Sequence, residues 1–235
     1  MAVGITSFVN SFTNRLDAPL RQHLKNVYGC LAMSTLAAGT GAYVHLFTDL
    51  LEASLLSTLG ALGLLIALGV TPDNGKNQKL RLGYLLGFAF LSGLGLGPLL
   101  EIVISIDPSI IITSLIGAAV VFVSFSISSL YAPRGQWLYL GGTLISLSNI
   151  AILLLLSNIF LRSIFVYQAQ LYLGLGLMCG FIIFDTQMIV EKFHMGSKDF
   201  IGHSLELFID LFRVFRYLLE ILAIKEQSKR KGNKQ

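Results

Sequence analysis

The chain has 235 residues, 54% of them hydrophobic and only 13% charged, with a net charge of +4 and a mean hydropathy of +0.73. Soluble domains carry roughly a quarter of their residues as charges, so this balance excludes an ordinary water-soluble domain or a nucleic-acid-binding module. The apolar residues fall in blocks of about 20, the length that crosses a hydrocarbon layer, which makes the fold class an all-α polytopic membrane bundle.

In chain order, residues 1–26 read as an N-terminal amphipathic cytosolic segment. Phe8, Phe12, Leu16 and Leu20 recur at helical spacing, and Pro19 reads as a break. Arg15, Asp17, Arg21 and Lys25 interrupt it, so it is not a cleavable signal. The bundle then occupies 27–224. Its first span is Val27–Phe47, followed by an acidic turn at Asp49 and Glu52 and a second span ending at Val70. Thr71-Pro72-Asp73-Asn74-Gly75-Lys76 is a loop. A third span runs over Leu82–Ile106 and a fourth over Ile110–Tyr131. The fifth, opened by the interfacial Trp137 and Tyr139, closes near Asn158, and the sixth covers Val166–Val190. Gly83/Gly87, Gly93/Gly97 and Gly176/Gly180 have the spacing that lets helix backbones approach. Cys30 and Cys179 lie in apolar segments, so no structural disulfide is expected.

The last segment, Phe200–Ile224, is different: His203, Glu206, Asp210, Arg213 and Tyr217 step by three or four residues along one face. A helix this charged is either wrapped by the others or only partly inserted and re-entrant. Lys225, Lys229, Arg230, Lys231 and Lys234 make residues 225–235 a basic tail. Orientation follows from basic residues in short loops. Arg15, Arg21, Lys25, Lys76, Lys79, Arg81, Arg134, Lys192 and Lys198 fall on one side, and Arg162 alone on the other. The N-terminus is therefore expected in the cytosol. The tail's own charges favour the same side, which seven full crossings would forbid.

Two aspartates carry the functional argument. Asp185 and Asp210 lie in the last two apolar segments, equidistant from the polar turn Met195–Asp199, so an antiparallel hairpin brings them to one membrane depth. A carboxylate at the centre of a bilayer helix costs about 2.5–3.5 kcal/mol on insertion scales, so such residues face an interior or a water path. Two carboxylates in contact cannot both ionise cheaply. They titrate as a unit and share a proton near neutrality, for which Ca²⁺, a hard cation seeking oxygen, competes. Glu206, one turn before Asp210, and Glu101, after Gly97-Pro98, are candidate pathway residues. Arg213 and Arg216 are candidate charge partners for the acids of the last segment.

Phe184-Asp185-Thr186-Gln187, Glu191-Lys192, Asp199-Phe200-Ile201-Gly202-His203 and Leu207-Phe208-Ile209-Asp210 resemble the signature of the Bax inhibitor family, the transmembrane Bax inhibitor motif proteins. Phe88-Ala89-Phe90-Leu91, Gly93-Leu94-Gly95-Leu96-Gly97-Pro98-Leu99-Leu100-Glu101 and the lysine-rich end resemble it too, most closely its eukaryotic branch. The resemblance implies seven helices with the seventh central and surrounded by the other six. It also implies a pH-sensitive calcium leak in the endoplasmic reticulum membrane that lowers stored calcium and suppresses apoptosis and ER-stress signalling. By motif, Asp185 and Asp210 correspond to the family's paired aspartates. On that reading the partners are the lipid bilayer, calcium and protons, with Bcl-2-type proteins and ER-stress sensors as candidate protein partners. Calcium is the transported ion, held transiently by the two aspartates, and no cofactor or enzymatic activity is expected. Some prokaryotic relatives latch one of these acids with an arginine of the second helix, and Leu51–Val70 has no basic residue to supply it.

Two rival classes have their own discriminators. A non-conducting scaffold would bind cell-death or stress-response proteins through the tail and pass no cations. An intramembrane metal hydrolase would need three His, Cys or carboxylate ligands around zinc. Only His45 and His203 are read near spans, and no H-E-x-x-H occurs.

Overall fold

The structure is a computed structural model that describes residues 17–48 and 53–232. Within them lie eight helices: α1 Ala18–Phe47, α2 Leu55–Val70, α3 Gln78–Gly95, α4 Gly97–Ile106, α5 Ser109–Tyr131, α6 Leu140–Leu161, α7 Ile164–His194 and α8 Phe200–Gly232. The acidic turn at Asp49 and Glu52, the sequence before Asp17 and the last three residues lie outside the described residues.

The single third span read from the sequence is two helices meeting at 41°. The chain supplies the reason. Leu96 donates its N–H to Gly93 and Leu94, and Pro98 then occupies the first turn of α4. There its missing N–H leaves no backbone bond broken, whereas mid-helix it would break one. Pro19 plays the same part in α1 and begins the helix instead of breaking it. Residues 18–26 are therefore the first turns of α1, with Leu20, His23 and Leu24 buried against the bundle. They are not a separate segment.

Close backbone approach holds α1 to α3. A Cβ placed on Gly93 would run into the backbone of Ala38, and one on Gly41 into the backbone of Phe90. Gly87 faces Leu64 and Gly180 faces Leu144, while Gly83 and Gly176 meet open space. With Gly97 set against the His45 ring, four of the six glycines in these pairs are used for packing, and Gly41, which belongs to no such pair, is one of the tightest points.

The α7–α8 hairpin turns on Gly196, whose φ of +101° only glycine adopts without strain. Gly196 donates to Phe193 O and Ser197 donates to Lys192 O, the paired bonds of a Schellman ending. Asp199 then caps α8, its Oδ1 accepting from Gly202 N at 2.8 Å.

α8 packs against α1, α3, α4, α5 and α7, with α2 resting on α3 and α6 on α7 as an outer layer. The charged last helix is central, as expected, but its wrapping comes from these inner helices and not from all the rest. The outer faces are apolar: Leu55, Leu56, Ile66 and Val70 on α2 and Ile145, Leu153, Phe160 and Leu161 on α6 are exposed. That inverts a water-soluble surface and suits lipid. By length and apolarity α1, α5, α6 and α7 can each cross a membrane, and α3–α4 together make a fifth.

α8 runs unbroken through 33 residues, about 50 Å at the α-helical rise. It is a continuous helix. Its end lies beside the α4–α5 turn, where Arg230 approaches Asp107 at 3.8 Å. Asp17, Asp73, Arg81, Arg134, Glu191, His194 and Asp199 are joined by ion pairs at the other end of the bundle. Arg230, in the basic tail, therefore lies at the end of the bundle opposite those ion pairs. Along α8, Glu206 pairs with Lys192, Arg216 with Glu220, and Arg230 with Glu226 and Asp107.

Candidate functional site: a polar seam between the last two helices

Glu206, Asp210, Arg213, Tyr217 and Glu220 advance by four, three, four and three residues, which keeps them on one seam of α8. Facing them on the antiparallel α7 are Lys192, Asp185, Gly174 and Tyr167. Lys192 Nζ donates to Glu206 Oε1 at 2.6 Å. Asp185 and Asp210 lie within hydrogen-bonding reach of each other. Tyr217 is seated on Gly174, so close that an added Cβ would come within 2.7 Å of its hydroxyl oxygen. Tyr167 Oη donates to Glu220 Oε2 at 2.6 Å. Four polar rungs thus run along one helix pair.

The aspartate rung is the one that chemistry must explain. Asp210 is 4% exposed, and its Oδ2 is buried with no donor among the described residues. A buried carboxylate oxygen without a donor is costly and calls for a proton, a water or a cation. Its neighbour on the rung is a second carboxylate, so one shared proton is the arrangement that satisfies both. Glu206 acts electrostatically on both aspartates; one of its oxygens binds Lys192 and the other, Oε2, is buried and unpaired. Three carboxyl groups and one lysine thus share the region between the pair and the basic end.

The remaining candidates divide. Arg213 acts on Asp210 electrostatically without a hydrogen bond to it. Arg216 Nε donates to Glu220 Oε1 at 2.9 Å and serves that residue instead. Glu101 stands apart. Its partner is His45 at 3.2 Å, whose Nδ1 accepts from Ala53 N, and no interaction among the described residues joins it to the aspartates.

Above the seam, at the basic end, a compact lock joins α1, α3 and α8. His23 Nε2 and His203 Nδ1 are 2.9 Å apart, so His23 joins His203 in the bundle although the sequence reading placed only His45 and His203 near spans. Arg81, 5% exposed, donates through Nη1 and Nη2 to Asp199 Oδ1 and Oδ2 at 2.7 and 2.6 Å, and reaches Asp73 at 3.3 Å. Burial pushes the Asp199 carboxyl up, but the Arg81 bonds and the Gly202 N–H outweigh it and hold it below its usual range. A carboxylate held low in the folded state stabilises fully above its ordinary pKa of about 3.9, and that contribution fades as pH falls through the lower folded value. Asp199→Asn keeps the cap and removes the ion pair, leaving Arg81 buried. It should cost about 3 kcal/mol near neutrality. Thermal unfolding in detergent checks it: the gap to the parent chain should be full at pH 7 and shrink well below pH 4.

Several of these residues were missed in the sequence because their partners are distant. Lys192 reads there only as a loop charge. Gln187 of the Phe184–Gln187 motif turns out to be a staple, accepting from Trp137 N at 2.9 Å and donating to the Ser129 and Pro133 carbonyls. Its role is to hold the α5–α6 turn. Tyr28, Ser126 and Thr186 bring three buried hydroxyls together beside the aspartate rung, a polar cluster to which no sequence spacing points. Among the described residues no group of three or more His, Cys, Asp or Glu is placed to hold a metal ion.

Fold and seam together define a polytopic α-helical membrane protein whose central helix carries a paired carboxylate inside the bundle. The family model described as "Inhibitor of apoptosis-promoting Bax1" matches residues 20–227. The chain is 49% identical over 214 residues to Bax inhibitor 1 of Rattus norvegicus, covering 91% of this chain and 90% of that one. It is 48% identical over 212 residues to the probable Bax inhibitor 1 of Paralichthys olivaceus, covering 90% of each. With Bax inhibitor 1 of Arabidopsis thaliana it shares 39% over 209 residues, 88% and 83% of the two chains. The chain belongs to the Bax inhibitor 1 family.

Proposed function

We propose that this protein is a pH-sensitive calcium leak of the endoplasmic reticulum membrane, lowering stored calcium and thereby suppressing cell death and ER-stress signalling. One observation carries the reading: the Asp185–Asp210 pair in the core, with Asp210 Oδ2 lacking any donor among the described residues. Ca²⁺ takes oxygen ligands and would replace the shared proton on the pair. Glu206, one turn closer to the basic end, hands the ion to or from the aspartates once Lys192 releases it. The N-terminus lies in the cytosol on this reading, because the loops at its end carry the excess of lysine and arginine.

Protonation acts in two opposed ways. It weakens cation binding at the pair, and it dissolves the shared-proton bond between Asp185 and Asp210 that holds α7 to α8. The second effect dominates, as the resemblance implies, so acid opens the path. The experiment is Ca²⁺ flux into dye-loaded liposomes containing the purified full-length chain. Flux should exceed that of protein-free liposomes and rise as pH falls from 7.5 to 6. Flux equal to protein-free liposomes at every pH would refute the leak and leave the scaffold reading.

A further inference from the structure

The far rung of the seam has no part in the aspartate chemistry, yet it opens into a polar recess at the end of the bundle away from the basic loops. A cavity of about 440 Å³ lies there between α6, α7 and α8. Asn158, three residues before the end of α6, and Tyr167, three residues into α7, line it and set its mouth near the α6–α7 turn. Both helices are long enough to cross a membrane, so this is the depth of the lipid headgroups. Two guanidinium groups, from Arg213 and Arg216, stand in the recess against a single carboxylate, Glu220. Glu220 is already satisfied, because its oxygens accept from Arg216 Nε at 2.9 Å and from Tyr167 Oη at 2.6 Å. That leaves Arg213, which is exposed and forms no hydrogen bond or ion pair among the described residues. A lone arginine on a helix inside a membrane bundle is costly and calls for an anion.

We propose that this recess binds the phosphate group of a membrane phospholipid, with Arg213 as the residue that takes it. Two arginines against one glutamate leave the lining with one net positive charge, which a phosphodiester's single negative charge balances. A guanidinium presents its N–H groups in a planar fork that matches phosphate oxygens two at a time. The rest of the polar lining also donates. Asn158 Oδ1 accepts from Ser163 N at 2.9 Å, which leaves the amide's own N–H groups for the ligand, and Gln170 and the Tyr217 hydroxyl add donors. A lipid fits better than a free phosphate because apolar walls complete the recess. Leu155 and Ile159 line it, are exposed, and continue into the apolar outer face of α6 at Leu156 and Phe160, along which acyl chains lie. A lipid held this way ties the outer helix α6 to the central α8.

The test is native mass spectrometry of the full-length protein in detergent, titrated with dioleoyl phosphatidylglycerol. Dioleoylglycerol, which has the same chains and no phosphate, and inorganic phosphate are the comparison probes. The parent chain should hold one phosphatidylglycerol more tightly than any further one, should not hold dioleoylglycerol, and should keep its lipid in millimolar inorganic phosphate. Arg213→Gln should weaken that first binding at least about tenfold, the loss of a charge-assisted contact. Arg213→Lys keeps the charge and should retain part of the binding, whereas Lys229→Gln with Lys231→Gln in the basic tail should leave it unchanged. First binding unchanged in Arg213→Gln, equally weak in Arg213→Lys, or lost in the tail variant overturns the proposal. Equal binding of dioleoylglycerol would make the recess a merely apolar groove, and displacement by inorganic phosphate would assign it to a free anion; either result overturns the lipid assignment. None of these outcomes depends on whether the protein passes Ca²⁺, so the site and the leak are tested apart.

Discussion

Asp210→Asn is expected to lower Ca²⁺ flux by at least about tenfold and to flatten its dependence on pH. The carboxylate lies in the core of the bundle, 4% exposed, with one oxygen lacking a donor among the described residues. An amide there keeps the shape and loses the charge. Each tenfold in flux corresponds to about 1.4 kcal/mol, well within the loss of one charged ligand from a dehydrated cation. Flattening follows from the coupling: with one acid gone the pair no longer titrates as a unit, so its proton no longer reports on pH between two states. Asp185→Asn should flatten the profile too. Asp210 is the more sensitive position, because it shares its helix face with Glu206 and stands in the field of Arg213. Dye-loaded liposomes at several pH values read both effects at once. Retention of the parent pH profile in both single variants would reject proton sharing even in a protein that still leaks.

The second large effect concerns assembly. Gly93→Val should cost more than the roughly 1–3 kcal/mol of ordinary overpacking, because the new atoms meet the Ala38 backbone and not a side chain that can turn away. The same reasoning applies at Gly41, which faces the backbone of Phe90. Gly83→Val serves as the control, since its Cβ meets nothing within 4 Å. Detergent melting and the yield of monodisperse protein should fall sharply for Gly93 and Gly41 and little for Gly83. Equal losses at all three would mean that α1 and α3 do not cross where the structure puts them.

The contrast among these glycines shows what a sequence can and cannot tell. Spacing marks Gly93 and Gly83 alike, but only a crossing helix decides which of them is essential. The aspartate pair was legible because two acids equidistant from one turn need only an antiparallel hairpin to meet, and Gly196 makes that hairpin. Lys192–Glu206 spans the same turn and was legible in principle, although a lysine beside a loop reads first as orientation charge. His23–His203 and Arg81–Asp199 were not legible, because each joins residues more than a hundred positions apart through tertiary packing. The bend before Pro98 was visible as Gly97-Pro98, yet an unbroken apolar run on both sides concealed it.

The account stands on one exchange, a proton for a calcium ion at Asp185 and Asp210. Proton release from the purified full-length protein in weakly buffered detergent, titrated with Ca²⁺ near pH 7, measures that exchange directly. About one proton per bound ion is expected from a shared-proton pair, and none from Asp185→Asn or Asp210→Asn. Calcium binding without proton release, or equal release from both variants, would contradict it.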